Sequence, residues 1–257
     1  MIILSANTFG TNFVVENSLE FTRSSVDELT RSPSSNGNRK TFTLSYWIKK
    51  TSNTNGMYIF MAGSDGDTDY FEHYFRNDTI DVGSNLGGQL RSTATFTDTN
   101  WNHHVLRVDT TQSTSSNRLR FYRNGAQITD WAVENYPSLN VQYQVNQASK
   151  EQLFGNNVEV NKALDAKFAE VAMIDGASLA PSVFAVDNGG TWSAIDFAEN
   201  VTFGTNGFYF EFKQNGTSAN SGGLGADTSG NDHHFTVNNL TSGDQKTDVP
   251  PFFGLEN

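Results

Sequence analysis

The run Asp65-Gly66-Asp67-Thr68-Asp69 sets three carboxylates at alternating positions, the hard oxygen donors that calcium takes. An EF-hand loop opening at Asp65 needs glycine in its sixth place and glutamate in its twelfth. The chain has Tyr70 and Arg76 there, so that motif is not met. An acidic hairpin turn built on Asp-Gly is expected, with a bound cation as the alternative. Glycoside hydrolysis needs facing acids too, and a retaining enzyme sets two carboxyls about 5–5.5 Å apart. Residues i and i+2 of a strand share a face, but Gly66 interrupts a regular strand here and no Glu-x-Asp-x-Glu occurs anywhere. A glycosidase is therefore not expected.

The five histidines are His73, His103, His104, His233 and His234. Adjacent residues of a strand point to opposite faces, so neither pair can chelate one ion by itself. For each pair the expectation is one ring inside the fold and one at the surface, not a metal site. There is no Gly-x-Ser-x-Gly elbow, and Ser221-Gly222-Gly223-Leu224-Gly225 lacks the Lys-Ser/Thr of a phosphate loop. With no cysteine there is no disulfide, thiolate metal site or thiol nucleophile. Trp131, Tyr136, Tyr143 and Trp192 lie in or near loop-like segments. They could stack on sugar rings or simply pack beneath the loops. No catalytic, metal-binding or cofactor-binding residue is assigned, and the chain is expected not to be an enzyme.

The elements that must hold these side chains are strands. In Thr41–Lys49, Phe42, Leu44, Tyr46 and Ile48 fall on one face and Thr43, Ser45 and Lys49 on the other, a half-buried strand. Trp47 stands on the polar side, where it either meets a second layer or is exposed. Similar strands are read at about 18–22, 56–62, 69–76, 90–96, 102–109, 117–123, 126–131, 167–175, 207–213 and 233–238. Asn124-Gly125 supplies the two positive-φ residues of a type I′ hairpin. Helix is nearly absent. Ala177–Val186 makes one short turn, with Ser178 or Ser182 as its cap and Pro181 early in it. Glycine-rich Ser218–Gly225 reads as a long loop. The pattern predicts an all-β antiparallel sandwich.

Composition narrows the function. The 257 residues carry 17 basic and 28 acidic side chains, a net charge of −11, which argues against nucleic acid as a partner. No apolar run approaches the roughly 20 residues that span a bilayer. Few charges and 12% aromatics argue against disorder. Lack of cysteine fits folding in a reducing cytoplasm, and Met1-Ile2-Ile3-Leu4 is not a standard secretion signal.

Four segments carry a resemblance. They are Phe42–Lys49, Trp101-Asn102-His103-His104-Val105, Leu119–Gly125 and Lys167–Gly176 followed by Leu179-Ala180-Pro181 and Phe184. In this order they resemble the concanavalin A-like lectin/glucanase superfamily and, within it, the laminin-G-like jelly rolls. Leu29–Phe42, Gly204–Tyr209 and Asp227–Leu240 further resemble jelly-roll modules in virion proteins of tailed bacteriophages. The resemblance implies a jelly-roll fold and a non-enzymatic binding or assembly role; it carries over no ligand site, and this chain lacks the paired acids that glucanase members use.

Two functional readings follow. The first is a structural protein of a phage particle (capsid decoration, head fibre or tail component). It would be made in the host cytoplasm, exposed on the virion, and would act by self-assembly and docking to other virion proteins. A homo-oligomer is expected, a trimer by analogy with fibres. Apolar Met1-Ile2-Ile3-Leu4 and Pro250–Leu255 are expected to dock on a neighbouring subunit. The alternative is a carbohydrate-binding module for bacterial surface glycans. In either case residues 1–17 are an N-terminal arm or edge strand, 18–240 a single sandwich domain and 241–257 a C-terminal tail.

Overall fold

The computed structural model describes residues 13–63, 69–157 and 162–253. In chain order the first strands are β1 (Ser18–Phe21), β2 (Glu28–Arg31), β3 (Thr41–Lys50), β4 (Met57–Ala62), β5 (Phe71–Arg76) and β6 (Thr79–Ser84). Next come β7 (Gln89–Thr95), β8 (Asn102–Asp109), β9 (Leu119–Arg123), β10 (Ala126–Gln127), β11 (Trp131–Asn135) and β12 (Gln152–Phe154). The last are β13 (Ala166–Asp175), β14 (Ala185–Asn188), β15 (Thr191–Ala194), β16 (Phe208–Phe210), β17 (Thr236–Asn238) and β18 (Gln245–Lys246). Sheet A has the order β10-β9-β8-β3-β13-β1-β18, with β16 also on β13, and sheet B the order β11-β7-β6-β5-β4-β12-β2-β17. All their pairings are antiparallel, and the fold is the expected concanavalin A-like sandwich.

Alternation builds the core. Phe42, Leu44, Tyr46 and Ile48 of β3 turn inward against Phe71 and Phe75 of β5 and Ile80 and Val82 of β6. Rings meet edge-on across the two sheets, Phe42 on Phe71 at 5.8 Å and Phe154 on Phe168 at 6.1 Å. Each such side chain contributes about 1.5–3 kcal/mol by leaving water. The Asn124-Gly125 hairpin forms as expected, with φ of 46° and 77° and Arg123 paired to Ala126.

Several expectations need correction. The strand read at 126–131 is two strands in different sheets, because the chain leaves sheet A after Gln127 and joins sheet B at Trp131. Strands β2, β6, β12, β14, β15 and β18 were not anticipated; most are short, and their period-2 signal is weak. The turn at Pro181–Val183 is capped by Ala180 without a side-chain bond, not by Ser178 or Ser182. Proline at its start sets φ, so no hydroxyl cap is required.

The main addition is a third layer. The β14–β15 hairpin and the chain through 197–203 cover the outer face of sheet A with apolar side chains. One cluster joins Val105, Tyr122 and Ile174 to Phe184, Phe197 and Phe203; another joins Trp47 and Ala169 to Ala185 and Ala194. This resolves Trp47, which is buried against that layer. The C-terminal residues also stay on their own domain. Ala194 donates to Pro251 O at 2.8 Å and accepts from Phe253 N at 2.7 Å, so Pro251–Phe253 extend the third layer. Met1–Leu4 and Gly254–Asn257 lie outside the described residues. Gln245–Lys246, within the expected tail, pair with β1.

Candidate functional site

Both histidines of the β8 pair are buried, against the expectation of one inside and one at the surface, because both faces of sheet A are covered. His104 points into the sandwich beside Tyr46, whose hydroxyl also meets His73 Nε2. His73 Nδ1 lies 3.3 Å from Asp81 O, so Nδ1 carries the proton and Tyr46 donates to Nε2. His103 points the other way and stacks between Trp47 and Trp192, at 5.0 and 6.2 Å. Trp192 Nε1 donates to His103 Nδ1 at 2.9 Å, which leaves Nε2–H to donate to Ser45 Oγ at 2.8 Å. Burial pulls His73 down to about 4 and His103 to about 3, so both rings are neutral packing groups. Among the described residues no group of three acids or histidines is placed to hold a metal.

Trp131 and Tyr136 pack half-buried against the main core, and Tyr143 is inside it. Trp192 covers His103. Tyr143 is closed to a ligand, whereas Trp131, Tyr136 and Trp192 each keep part of the ring at the surface. Asp65 and Asp67 lie outside the described residues; Asp69 is half-buried.

The segments that carried the narrower resemblance lock one end of the sandwich. Asp175 accepts from Asn38 N (2.7 Å), Asn206 N (2.8 Å) and Asn146 Nδ2 (3.1 Å), tying three loops together. A Cβ on Gly37 would stand 2.0 Å from an Asp175 oxygen, so only glycine lets this carboxylate close on the loop. Asp227 accepts from Tyr209 N and His233 N, both at 2.8 Å, and from Ser229 N at 2.9 Å; Asn231 reaches Gly204 O and Gly207 O. These residues satisfy loop backbone.

The outer face of sheet B is different: among the described residues no apolar cluster is built on it. With Phe71, His73 and Phe75 inward, Glu72, Tyr74 and Arg76 of β5 stand outward. Tyr58 of β4 stacks on Tyr74 at 4.6 Å, nearly parallel, and its hydroxyl donates to Glu72 at 2.9 Å. Asp81, opposite Tyr74 on β6, is fully buried; it accepts from Arg91 Nε at 2.9 Å and from Gln89 Nε2 at 3.1 Å. Burial, with the charges of Asp81 and Glu72, pushes the Tyr74 phenol up to about 12, so it stays a neutral donor. Beside these groups lies a pocket of about 340 Å³, lined by Tyr58, Tyr70, Glu72, Tyr74, Arg76 and Lys162, with Asn55 and Gly56 at its rim. Nearly every lining group can donate or accept a hydrogen bond.

A second pocket, of about 260 Å³, lies on sheet A's outer face and is lined partly by Glu16, Asp196, Tyr209, Glu211 and Lys213. Behind Tyr209 sits Glu170, at the bulge in β13 with φ of 47°, its carboxyl bonded to the Tyr209 hydroxyl. Burial first, then the charges of Glu211 and Asp196, raises Glu170 to about 8.

Residues 24–184 match the laminin-G-type family of the concanavalin A-like lectin/glucanases superfamily. The chain belongs to that superfamily. No relative was found among curated proteins. Among solved structures, the chain is similar to a Bacteroides ovatus protein titled "putative carbohydrate binding protein" (TM-score 0.59, 16% identity, 93% of this chain and 62% of that one). It is also similar to the extracellular region of zebrafish Gpr126/Adgrg6 (TM-score 0.54, 12% identity, 91% of this chain and 26% of that one). At such identities the likeness concerns the fold. The chain spans less than two thirds of either protein.

Within this lectin-type sandwich the signature residues thus build the third layer and the loop lock, whereas the polar pocket of sheet B was not singled out. Its signal was the alternation Glu72-His73-Tyr74-Phe75-Arg76, in which each outward position is polar or a phenol.

Proposed function

We propose that this lectin-type sandwich is a non-catalytic glycan-binding module and that its ligand sits in the polar pocket of sheet B. The observation that carries this is the concentration there of a carboxylate, phenols, an amide and two cations around one concavity, on the face where no apolar cluster is built among the described residues. A sugar offers hydroxyls all round, and such groups are what hydrogen-bond them. The volume lies at the lower end of the range for ligand pockets, roughly 300–1,000 Å³. The test is a glycan array with and without chelator, on wild type and Glu72→Gln. Wild type should bind at least one glycan class, and the variant should lose about tenfold or more, the scale of one hydrogen bond to a charged group. No binding in any condition, or unchanged binding by the variant, refutes the assignment.

The resemblance of Leu29–Phe42, Gly204–Tyr209 and Asp227–Leu240 to tailed-phage virion modules supports a setting for the module. In that setting it is carried as a homo-oligomer on the surface of a particle, docked to capsid or tail proteins, and glycan recognition serves host attachment. Its mass in solution and immunogold labelling of particles test this. A monomer that labels no particle counts against it.

A further inference from the structure

Resting on that reading, we infer that the sheet B pocket selects a sugar bearing a carboxylate, of the hexuronate class. The chain as a whole is strongly acidic, at −11, yet the charged groups lining this pocket are two cations, Arg76 and Lys162, against one carboxylate, Glu72. The excess of positive charge is local.

Arg76 leaves β5 at its end, with its side chain 47% exposed. One edge of its guanidinium is engaged, with Nη1 3.4 Å from the Tyr74 hydroxyl and 3.9 Å from Asp81 Oδ2. Asp81 is already compensated by Arg91 at 2.9 Å and by two bonds from Gln89 at 3.1 Å. Arg76 is thus anchored by a weak contact to a satisfied carboxylate, and the residue lines the pocket. A planar guanidinium held this way matches a planar carboxylate in two parallel hydrogen bonds.

Lys162 is held by the backbone beside it. Tyr58 N donates to Lys162 O at 3.0 Å, which lays this residue alongside β4. Its stem crosses Gly56, where a Cβ would stand 3.0 Å from Lys162 Cδ and 3.3 Å from Nζ. Gly56 also has φ of 71°, so glycine serves both the turn and the approach of the lysine. Among the described residues Lys162 Nζ makes no ion pair.

A neutral sugar would use the Glu72 carboxylate and the phenols but leave both cations to water. A hexuronate places its carboxylate between Arg76 and Lys162 while its ring hydroxyls donate to Glu72. A sulfated sugar presents a related anion, tetrahedral instead of planar, and is the competing source of the same charge.

The experiment is titration calorimetry of the whole chain with tetragalacturonate, its fully methyl-esterified form, galactotetraose and a sulfated galactan tetramer. It is repeated with Arg76→Gln, Lys162→Gln and Arg76→Lys, after circular dichroism confirms folding of each. Tetragalacturonate should bind at least tenfold more tightly than the ester or the neutral tetramer, and more weakly as salt rises. Each Gln variant should lose about tenfold, and Arg76→Lys should restore part of that loss. Equal binding of ester and acid, a preference for the sulfated tetramer, or no effect of the cation variants overturns the inference while leaving a glycan module intact. No binding of any sugar, here and on the array, overturns both.

Discussion

Gly125→Ala tests the third layer at its point of contact with the Asn-Gly turn. Gly125 has φ of 77°, where an alanine costs about 1–2 kcal/mol by itself. The new Cβ would also stand 2.7 Å from Trp192 Cη2 and 2.9 Å from Cζ3. Trp192 cannot give way freely, because it stacks on His103 and bonds to His103 Nδ1 at 2.9 Å. Displacing it leaves a buried ring nitrogen without its donor, so the overpacking adds about 1–3 kcal/mol. The total is about 2–5 kcal/mol. Trp192→Leu removes the ring edge that clashes, so in that background Gly125→Ala should cost only the backbone share. The coupling between the two substitutions should then be about 1 kcal/mol or more in the relieving direction. Urea denaturation followed by far-ultraviolet circular dichroism, with similar m-values across the four proteins, measures it. Equal costs of Gly125→Ala in both backgrounds would show that Trp192 does not rest on the turn, and the third layer would lose its anchor.

Glu170 should make the protein less stable as pH rises. Its folded pKa of about 8 lies above the ordinary glutamate value of 4.5, so its contribution is complete below pH 4.5 and is lost as pH rises to 8, at up to about 1.4 kcal/mol per unit. Glu170→Gln should flatten that decline, as denaturation at pH 5, 7 and 9 would reveal; an unchanged slope refutes the assignment. His73 and His103 act in the opposite sense. Their folded values of about 4 and 3 lie below 6.5, so their contribution is present above pH 6.5 and lost as pH falls toward them. Near-ultraviolet circular dichroism should show packing lost on acidification below about pH 4, and His103→Phe should shift that loss to lower pH. Asp81→Asn strips the charge that anchors Arg76 and Arg91 and should cost about 2–3 kcal/mol, below the usual loss for a fully buried pair because Arg91 is partly solvated. A cost under about 0.5 kcal/mol, the size of an ordinary surface change, would contradict that.

Much of the fold was legible where a local rule suffices. Phe42, Leu44, Tyr46 and Ile48 alternate over a strand long enough for period 2 to stand out, and Asn124-Gly125 permits one hairpin type. The hairpin β14–β15 was not legible, since four-residue strands reading Ala-Val-Asp-Asn and Thr-Trp-Ser-Ala are too short to show an alternation. The pocket was missed for another reason. Tyr58 of β4, the Glu72-Tyr74-Arg76 row of β5 and Lys162 come from three segments, and nothing local to one segment reports the others.

Sequence alone settled the class of this protein: an acidic, cysteine-free chain whose hydrophobic period commits it to two antiparallel layers around an aromatic core. Tertiary structure decided which faces are free. His103 and Trp47 stand on the polar side of their strands, where local pattern allows water, yet the distant hairpin β14–β15 closes over them. Sheet B receives no such apolar cover among its described residues, so its outward polar side chains are the ones that can meet a ligand. Strand period is a property of neighbours in the chain, whereas the covering of a face depends on contacts between segments far apart in sequence.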